Sequence, residues 1–180
     1  MRYLRCACFL LLMILVCSER SKAQLAQLDV DISTPGTWSY TVTNLEPGGS
    51  PNYINAFTLA VGAPIQVTGT PDGWDFDVVT QNGQTFVGWF SAAPQLPYPH
   101  DIAPGASLSG FQITSTVTTS ALLPYRIDAW DHDADDFGPS QIANVLAPSA
   151  VPAPPALWTM LLGTLPGAGL ALRRRRVSRG

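Results

Sequence analysis

The strongest structural signal in this chain is the segment Trp74-Asp75-Phe76-Asp77-Val78-Val79-Thr80-Gln81-Asn82-Gly83-Gln84-Thr85-Phe86-Val87-Gly88-Trp89-Phe90. A type I′ turn needs positive φ at both of its central residues, and the pair Asn82-Gly83 adopts that conformation at low cost. The β-rich runs 74–80 and 85–90 flank this pair on its two sides. The segment therefore predicts a β-hairpin.

Further short β-rich runs lie on both sides of the hairpin. Residues 38–44 alternate, with Trp38, Tyr40 and Val42 on one side of the predicted strand, which is the period of a half-buried strand. The other predicted strands are residues 54–61, 65–68, 108–118 and 122–130, and they are separated by Pro- and Gly-rich segments at 46–51, 70–73 and 94–104.

No run in the middle of the chain has the period of a convincing amphipathic helix. Short strands with frequent turns and no helix are typical of two packed antiparallel sheets. We therefore expect one all-β domain over residues 24–150. Its expected form is an antiparallel β-sandwich of immunoglobulin or fibronectin type, with about six to eight strands.

The N-terminus has the three parts of a secretory signal. Arg2 and Arg5 are basic, residues 6–17 are apolar, and small residues at 21 and 23 precede Gln24. The apolar run is shorter than the roughly 20 residues that a helix needs to span a bilayer. We expect residues 1–23 to be a signal peptide that is cleaved before Gln24.

All three cysteines, Cys6, Cys8 and Cys17, lie within the predicted signal. An alternative is a lipoprotein in which Cys17 is acylated, but Val16 is bulky where that processing needs a small residue. After cleavage before Gln24, the chain would contain no disulfide, no thiolate nucleophile and no cysteine-ligated zinc.

Basic residues are confined to the two ends of the chain. The whole sequence has a formal net charge of −3, yet residues 24–150 contain one basic residue, Arg126, and twelve acidic residues, a net charge of −11. A surface of that sign repels phosphate backbones. The composition therefore excludes nucleic acid as a partner and is compatible with solubility or with binding of divalent cations.

The last thirty residues change composition abruptly at Val151. They run from a proline motif, 151–155, through an apolar segment, 156–172, to the cationic residues Arg173, Arg174, Arg175 and Arg176. Seventeen residues in a helix span about 25 Å, the short end of what a bilayer accepts. We expect a single transmembrane helix, with the arginines holding the C-terminus in the cytoplasm. A plain tail anchor that is never processed fits the same physical pattern.

This tail resembles the PEP-CTERM sorting domains of Gram-negative bacteria, and in particular their VPLPA-like variants. The resemblance covers about 30 residues, 151–180, and its motif residues are Val151, Pro152, Pro154 and Pro155. It implies recognition by a membrane-embedded exosortase, removal of the tail near the prolines, and transfer to the surface of an exopolysaccharide-producing cell. Ala153 stands where the commonest form of the motif has Glu.

The richest polar segment of the predicted domain is 128–138. Its residues Asp131, Asp133 and Asp135 have the spacing of the oxygen ligands in a calcium loop. The segment departs from an EF-hand, because Asp136 occupies the glycine position and Ile142 the final glutamate position. The alternatives are therefore a calcium site and a solvated acidic loop.

Aromatic residues provide a second candidate site. Trp89 and Trp130, together with Trp74 and Tyr98, offer flat apolar faces that could bind sugar rings or a protein partner. The alternative is that Trp38, Trp74 and Trp89 are core residues, because they lie on predicted strands of a sandwich.

A hydrolase is the third possible function. The histidines are His100 and His132, and the Ser-containing segment 105–109 lacks the second glycine of a nucleophile elbow. Asp75 and Asp77 could form a carboxylate pair, but alternation places both on the solvent face of a strand.

These patterns together predict a non-enzymatic, exported surface or matrix protein. The alternative is a carbohydrate- or protein-binding module at the cell envelope, and the last is a hydrolase. The expected partners are the secretion machinery, an exosortase-like enzyme and the membrane, with exopolysaccharide implied by the resemblance. No cofactor is predicted other than the calcium considered above.

Overall fold

The structure is a computed structural model, and it describes residues 24–92 and 98–150. These residues form nine β-strands. They are β1 (Ala26–Asp31), β2 (Thr37–Asn44), β3 (Asn52–Val61), β4 (Gln66–Gly69), β5 (Trp74–Gln81), β6 (Gln84–Ser91), β7 (Ser107–Thr114), β8 (Ser120–Asp131) and β9 (Asp136–Pro148).

The strands form two antiparallel sheets. The four-stranded sheet has the order β1-β2-β7-β4, and the five-stranded sheet has the order β5-β6-β3-β8-β9. Several neighbours, such as β2 with β7 and β3 with β8, are distant in the chain. The all-β, two-sheet architecture predicted from the sequence is therefore confirmed.

The hairpin predicted around Asn82 and Gly83 is present in the five-stranded sheet. β5 and β6 pair without interruption up to the closing pair Gln81 and Gln84. The φ angles of Asn82 and Gly83 are 52° and 78°, which are the left-handed values that a type I′ turn requires. The hairpin prediction is confirmed at its turn and in its register.

The hydrophobic core lies between the two sheets. Its centre is aromatic: the ring of Phe111 on β7 lies 4.9 Å from Phe57, 5.0 Å from Trp74 and 5.8 Å from Trp89, all in edge-on contact. Phe57, Phe111 and Trp89 are fully buried. Since burying a large apolar side chain contributes about 1.5–3 kcal/mol, this group is a main source of stability.

Tyr40 connects the two sheets through the core. It lies on β2, is fully buried, and donates its hydroxyl to the carbonyl oxygen of Leu146 on β9 at 3.1 Å. Burial raises the pKa of Tyr40 well above its ordinary value, because the phenolate would lose its hydration.

β1 and β9 are the two strands that the sequence did not predict, so the expected count of about six to eight strands is too low. β9 contains Gly138 and Pro139, and its first nine side chains are all exposed or half-buried. Neither the composition nor the alternation of β9 indicates a strand. It forms because β8 pairs with it over almost its whole length.

No helix among residues 24–92 and 98–150 is long and apolar enough to cross a bilayer. The predicted signal peptide, 1–23, and the predicted membrane segment, 156–172, lie outside the described residues.

Candidate functional site

Three aromatic residues lie opposite one another at one end of the five-stranded sheet. Tyr53 on β3 pairs with Trp130 on β8, and Trp130 pairs with Phe137 on β9. The rings of Trp130 and Phe137 are 5.1 Å apart and nearly perpendicular. Phe137 is 61% exposed and Trp130 is half-buried. This aromatic row therefore presents apolar surface to solvent.

His132 begins the turn between β8 and β9. Its ring stacks on Tyr53 at 3.7 Å with an interplanar angle of 7°. Its Nε2 lies 3.1 Å from Oδ2 of Asp101, and the Asp101 side chain is only 2% exposed. A buried carboxylate needs such a partner, so this pair fastens the connection between β6 and β7 to the β8–β9 turn.

Asp135 ends the same turn in a left-handed conformation, with φ of 52°. Its Oδ1 accepts hydrogen bonds from the hydroxyl of Tyr98 and, at 3.2 Å, from Nε1 of Trp130. The ring of Tyr98 in turn lies 5.0 Å from the ring of His132. One carboxylate thus orients both aromatic rings. We call this group the aromatic–acidic cluster, and its members are Tyr53, Tyr98, Asp101, Trp130, His132, Asp135 and Phe137.

Asn44, at the end of β2, holds two of the segments that carry the cluster. Its side chain is fully buried. Its amide nitrogen donates to the carbonyl oxygens of Asn52 at 3.0 Å and Ile102 at 2.9 Å, and its Oδ1 accepts from the backbone N–H of Glu46 at 3.0 Å. Because Asn52 precedes Tyr53 and Ile102 follows Asp101, this amide fixes both segments relative to the four-stranded sheet.

Two of the three predicted calcium ligands, Asp131 and Asp135, make other contacts. Oδ1 of Asp131 accepts from the backbone N–H groups of Asp133 and Ala134, both at 2.9 Å, and so closes the turn. Asp135 is turned toward Tyr98 and Trp130. Within the described part of the chain, no three acidic or histidine side chains form a group that could hold a metal ion. This geometry gives the calcium prediction no support.

The two tryptophans predicted as ligand-binding residues have different environments. Trp89 is fully buried and stacks on Phe57 at 4.8 Å, so it cannot present a face to a ligand. Its assignment as a binding residue is wrong. The alternative that Trp38, Trp74 and Trp89 are core residues is confirmed, since all three are buried. Trp130 lies at the sheet end, where it contributes to the exposed row.

The groups considered for hydrolysis are not brought together. Ser107 hydrogen-bonds Thr43 on the four-stranded sheet at 2.8 Å, whereas His132 lies at the end of the five-stranded sheet with Asp101. His100 packs against Gly73 at the start of β5. The described geometry therefore offers no support for a serine hydrolase.

Tyr53 and Asp101 were missed by sequence reasoning. Neither stands in a motif, and both reach the cluster only through strand pairing and the folding of the β6–β7 connection. Trp130 and Phe137 carried a signal that could have been used, because they flank the acidic turn on adjoining strands.

The predicted sorting residues lie outside the described part of the chain. They are Val151, Pro152, Pro154, Pro155, Arg173, Arg174, Arg175 and Arg176.

Comparisons with known proteins identify no family. No family model matches the chain, and no curated protein matches it. Among solved structures, the chain is similar to an uncharacterized protein from Nocardia farcinica whose crystal structure is described as revealing an immunoglobulin-like fold. The identity is 12%, the match covers 72% of this chain and 90% of that chain, and the TM-score is 0.41.

Proposed function

We propose that this chain is an exported, non-catalytic β-sandwich protein that reaches the cell surface or extracellular matrix after both of its ends are removed. The observation that carries the proposal is the position of the two predicted processing sites relative to the fold. β1 begins at Ala26, directly after the expected cut before Gln24, and β9 ends at Pro148, directly before the motif that starts at Val151.

The first strand is fastened to the fold close to the expected N-terminal cut. Gln141 on β9 accepts from the backbone N–H of Ala26 at 3.1 Å and donates to the Ala26 carbonyl oxygen at 2.8 Å. The Gln24 side chain adds a bond to the same carbonyl at 2.9 Å. Removing residues 1–23 would leave these contacts in place.

The end of the described fold is fastened just as closely. The backbone N–H of Ser149 donates to Thr119, whose hydroxyl donates back to the Ser149 carbonyl at 2.7 Å. Ala150 donates to the carbonyl oxygen of Gly62 at 3.2 Å. Loss of the tail after the proline motif would therefore break none of these hydrogen bonds, as a sorting signal that is cleaved requires.

The decisive experiment is the intact mass of the protein recovered from producing cells, with and without their exosortase. We expect loss of residues 1–23 in both strains, and loss of the tail near residue 155 only when the exosortase is present. A Pro152→Ala/Pro154→Ala variant should keep its tail, while Arg179→Ala, outside the motif and the arginine run, should be processed normally. Recovery of the protein with its complete tail from wild-type cells would show that the tail is a membrane anchor that is not cleaved.

We infer further that the sandwich is of the immunoglobulin or fibronectin type. The support is the pair of packed antiparallel sheets. The chain passes from one sheet to the other between β2 and β3 and again between β7 and β8, so that β2 neighbours β7 and β3 neighbours β8. Connections that pass between sheets are typical of that architecture. An experimental structure of the processed protein, compared strand by strand with such domains, would test this assignment.

A second candidate function is binding of carbohydrate at the cell envelope, and the aromatic row favours it. Phe137 is exposed and Trp130 is half-buried, and the Asp135 carboxylate lies 3.2 Å from Nε1 of Trp130. Sugars bind proteins through apolar ring contacts combined with hydrogen bonds to polar groups, and this end of the sheet offers both.

Glycan-array binding by the processed protein tests the second candidate. A Trp130→Ala/Phe137→Ala variant should lose binding by about tenfold or more, a change of about 1.4 kcal/mol. Phe76→Ala is the matched control, because Phe76 is also exposed but lies on β5 at the other edge of the sheet. Equal binding by the two variants, or no binding by the wild-type protein, would argue against a carbohydrate site.

A further inference from the structure

β5 is an edge strand, so β6 is its one neighbour within the described sheet and the other side of its backbone points away from the sheet. It lies at the end of the five-stranded sheet and runs for eight residues without proline or glycine. In an antiparallel pair closed by a two-residue turn, alternate residues point their backbone groups to the partner strand. Counting back from the Gln81–Gln84 pair, Phe76 and Val78 point theirs away from β6.

The same strand exposes apolar side chains. Phe76 and Val78 are each 43% exposed and Val79 is 42% exposed. Phe76 and Val78 pair with the buried residues Trp89 and Val87, so they extend the core-facing surface of the sheet beyond the covered region. A long, apolar edge with outward backbone groups is a template for another strand.

Two carboxylates accept hydrogen bonds from backbone N–H groups of β5 that point away from β6. Oδ1 of Asp75 accepts from the backbone N–H of Phe76 at 2.9 Å, and Oδ1 of Asp77 accepts from that of Val78 at 2.8 Å. An incoming strand would need both of those N–H groups. If it came antiparallel from a second copy of the chain, with Phe76 opposite its copy, Asp75 of each strand would lie opposite Asp77 of the other. Like charges across a strand pair are destabilising.

We propose that Asp75 and Asp77 keep the β5 edge closed to strand pairing with a second copy of this chain. Two of the other three edges, β9 and β4, have different protection. β9 contains Pro139 and Pro148, which cannot donate to a ladder, and β4 has only four residues and an irregular register against β7. β5 has no proline and is eight residues long, so its protection against strand pairing must come from its side chains.

Sedimentation velocity over a range of concentrations tests the proposal by measuring self-association. The protein used is the one recovered from the producing cells. Asp75→Thr/Asp77→Thr removes both acceptor carboxylates and both charges while keeping residues that suit a strand. We expect its self-association constant to rise by about tenfold or more over the wild type. Asp75→Asn/Asp77→Asn, which removes only the charges, should give a smaller rise.

The matched control is Asp72→Thr/Asp133→Thr, which makes the same change of charge at two exposed turn residues. Adding Val78→Lys to the Asp75→Thr/Asp77→Thr variant should restore the wild-type association state, because it returns a charge to the edge. That rescue, together with an unchanged near-ultraviolet circular dichroism spectrum, separates edge pairing from misfolding. A double variant as monomeric as the wild type, or a control that associates equally, would overturn the proposal.

Discussion

Replacing Asn44 by alanine should be one of the most damaging single changes in this protein. The side chain is fully buried and makes three hydrogen bonds to the backbone, at Glu46, Asn52 and Ile102. Alanine would leave two carbonyl oxygens and one N–H group without that partner. It would also release the segments that lead into Tyr53 and out of Asp101.

The expected loss follows from the number of bonds. A hydrogen bond between neutral groups contributes about 0.5–1.5 kcal/mol net, and a buried group left unsatisfied costs about 1–3 kcal/mol. Water entering the space would recover a part of this, so we expect the free energy of unfolding to fall by about 2–4 kcal/mol. That is a large share of the 5–15 kcal/mol that is typical of a domain.

Urea unfolding of the wild-type protein, Asn44→Ala and Asn144→Ala measures this loss. Asn144 is the matched control, since it is an exposed residue of β9 and its replacement should change the free energy of unfolding by less than about 0.5 kcal/mol. In addition, Asn44→Ala should speed hydrogen exchange in residues 52–54 and 100–102. The reasoning is refuted if the two variants unfold at the same urea concentration.

Three further changes test the packing and the turns. Phe111→Ala should lower the free energy of unfolding by about 3–5 kcal/mol, measured by thermal or urea unfolding, whereas Phe137→Ala, at a residue that is 61% exposed, should lower it by less than about 1 kcal/mol. Similar losses in the two variants would contradict the assignment of Phe111 to the core. Gly73→Ala should cost at least about 1 kcal/mol, because the residue has φ of 76° and its Cβ would lie 2.1 Å from the ring of His100; an unchanged melting temperature would contradict this. Burial raises the pKa of Tyr40, so the native state keeps a proton that the unfolded chain releases above pH about 10. The contribution of Tyr40 to the free energy of unfolding should therefore be fully present below that pH and decrease above it. In Tyr40→Phe the melting temperature should fall less steeply with pH; equal slopes for the two proteins would refute the burial of an ionisable Tyr40.

The sequence predicted those strands whose signals are local. The hairpin was predictable because the φ requirement of its turn is met by two adjacent residues, Asn82 and Gly83. β2 was predictable because its alternation matches the burial of every second side chain. In both cases the information lies within a few residues, and the tertiary fold agrees with it.

β9 was not predictable for the opposite reason, whereas β1 has a local alternation over Ala26–Asp31 that the sequence analysis did not use. β9 carries Gly138 and Pro139 and buries no side chain along its first half. It is held by backbone pairing with β8, which begins beside the acidic turn and continues to Ser120 and Pro148. The partner strand supplies that pairing, and composition does not reveal it.

The two tryptophans show what the sequence alone could and could not say about the site. Trp89 lies inside a strand that pairs on both sides, so any large residue facing inward there is covered by the opposite sheet. Trp130 stands one residue before the strand ends at Asp131, where the acidic turn begins. Position along the strand does not separate the two residues, because Trp74 begins β5 and is buried as well; what separates them is the cover of the opposite sheet over Trp89. The partners Tyr53 and Asp101 come from distant segments, and only the pairing of β3 with β8 and the His132–Asp101 contact bring them to the turn.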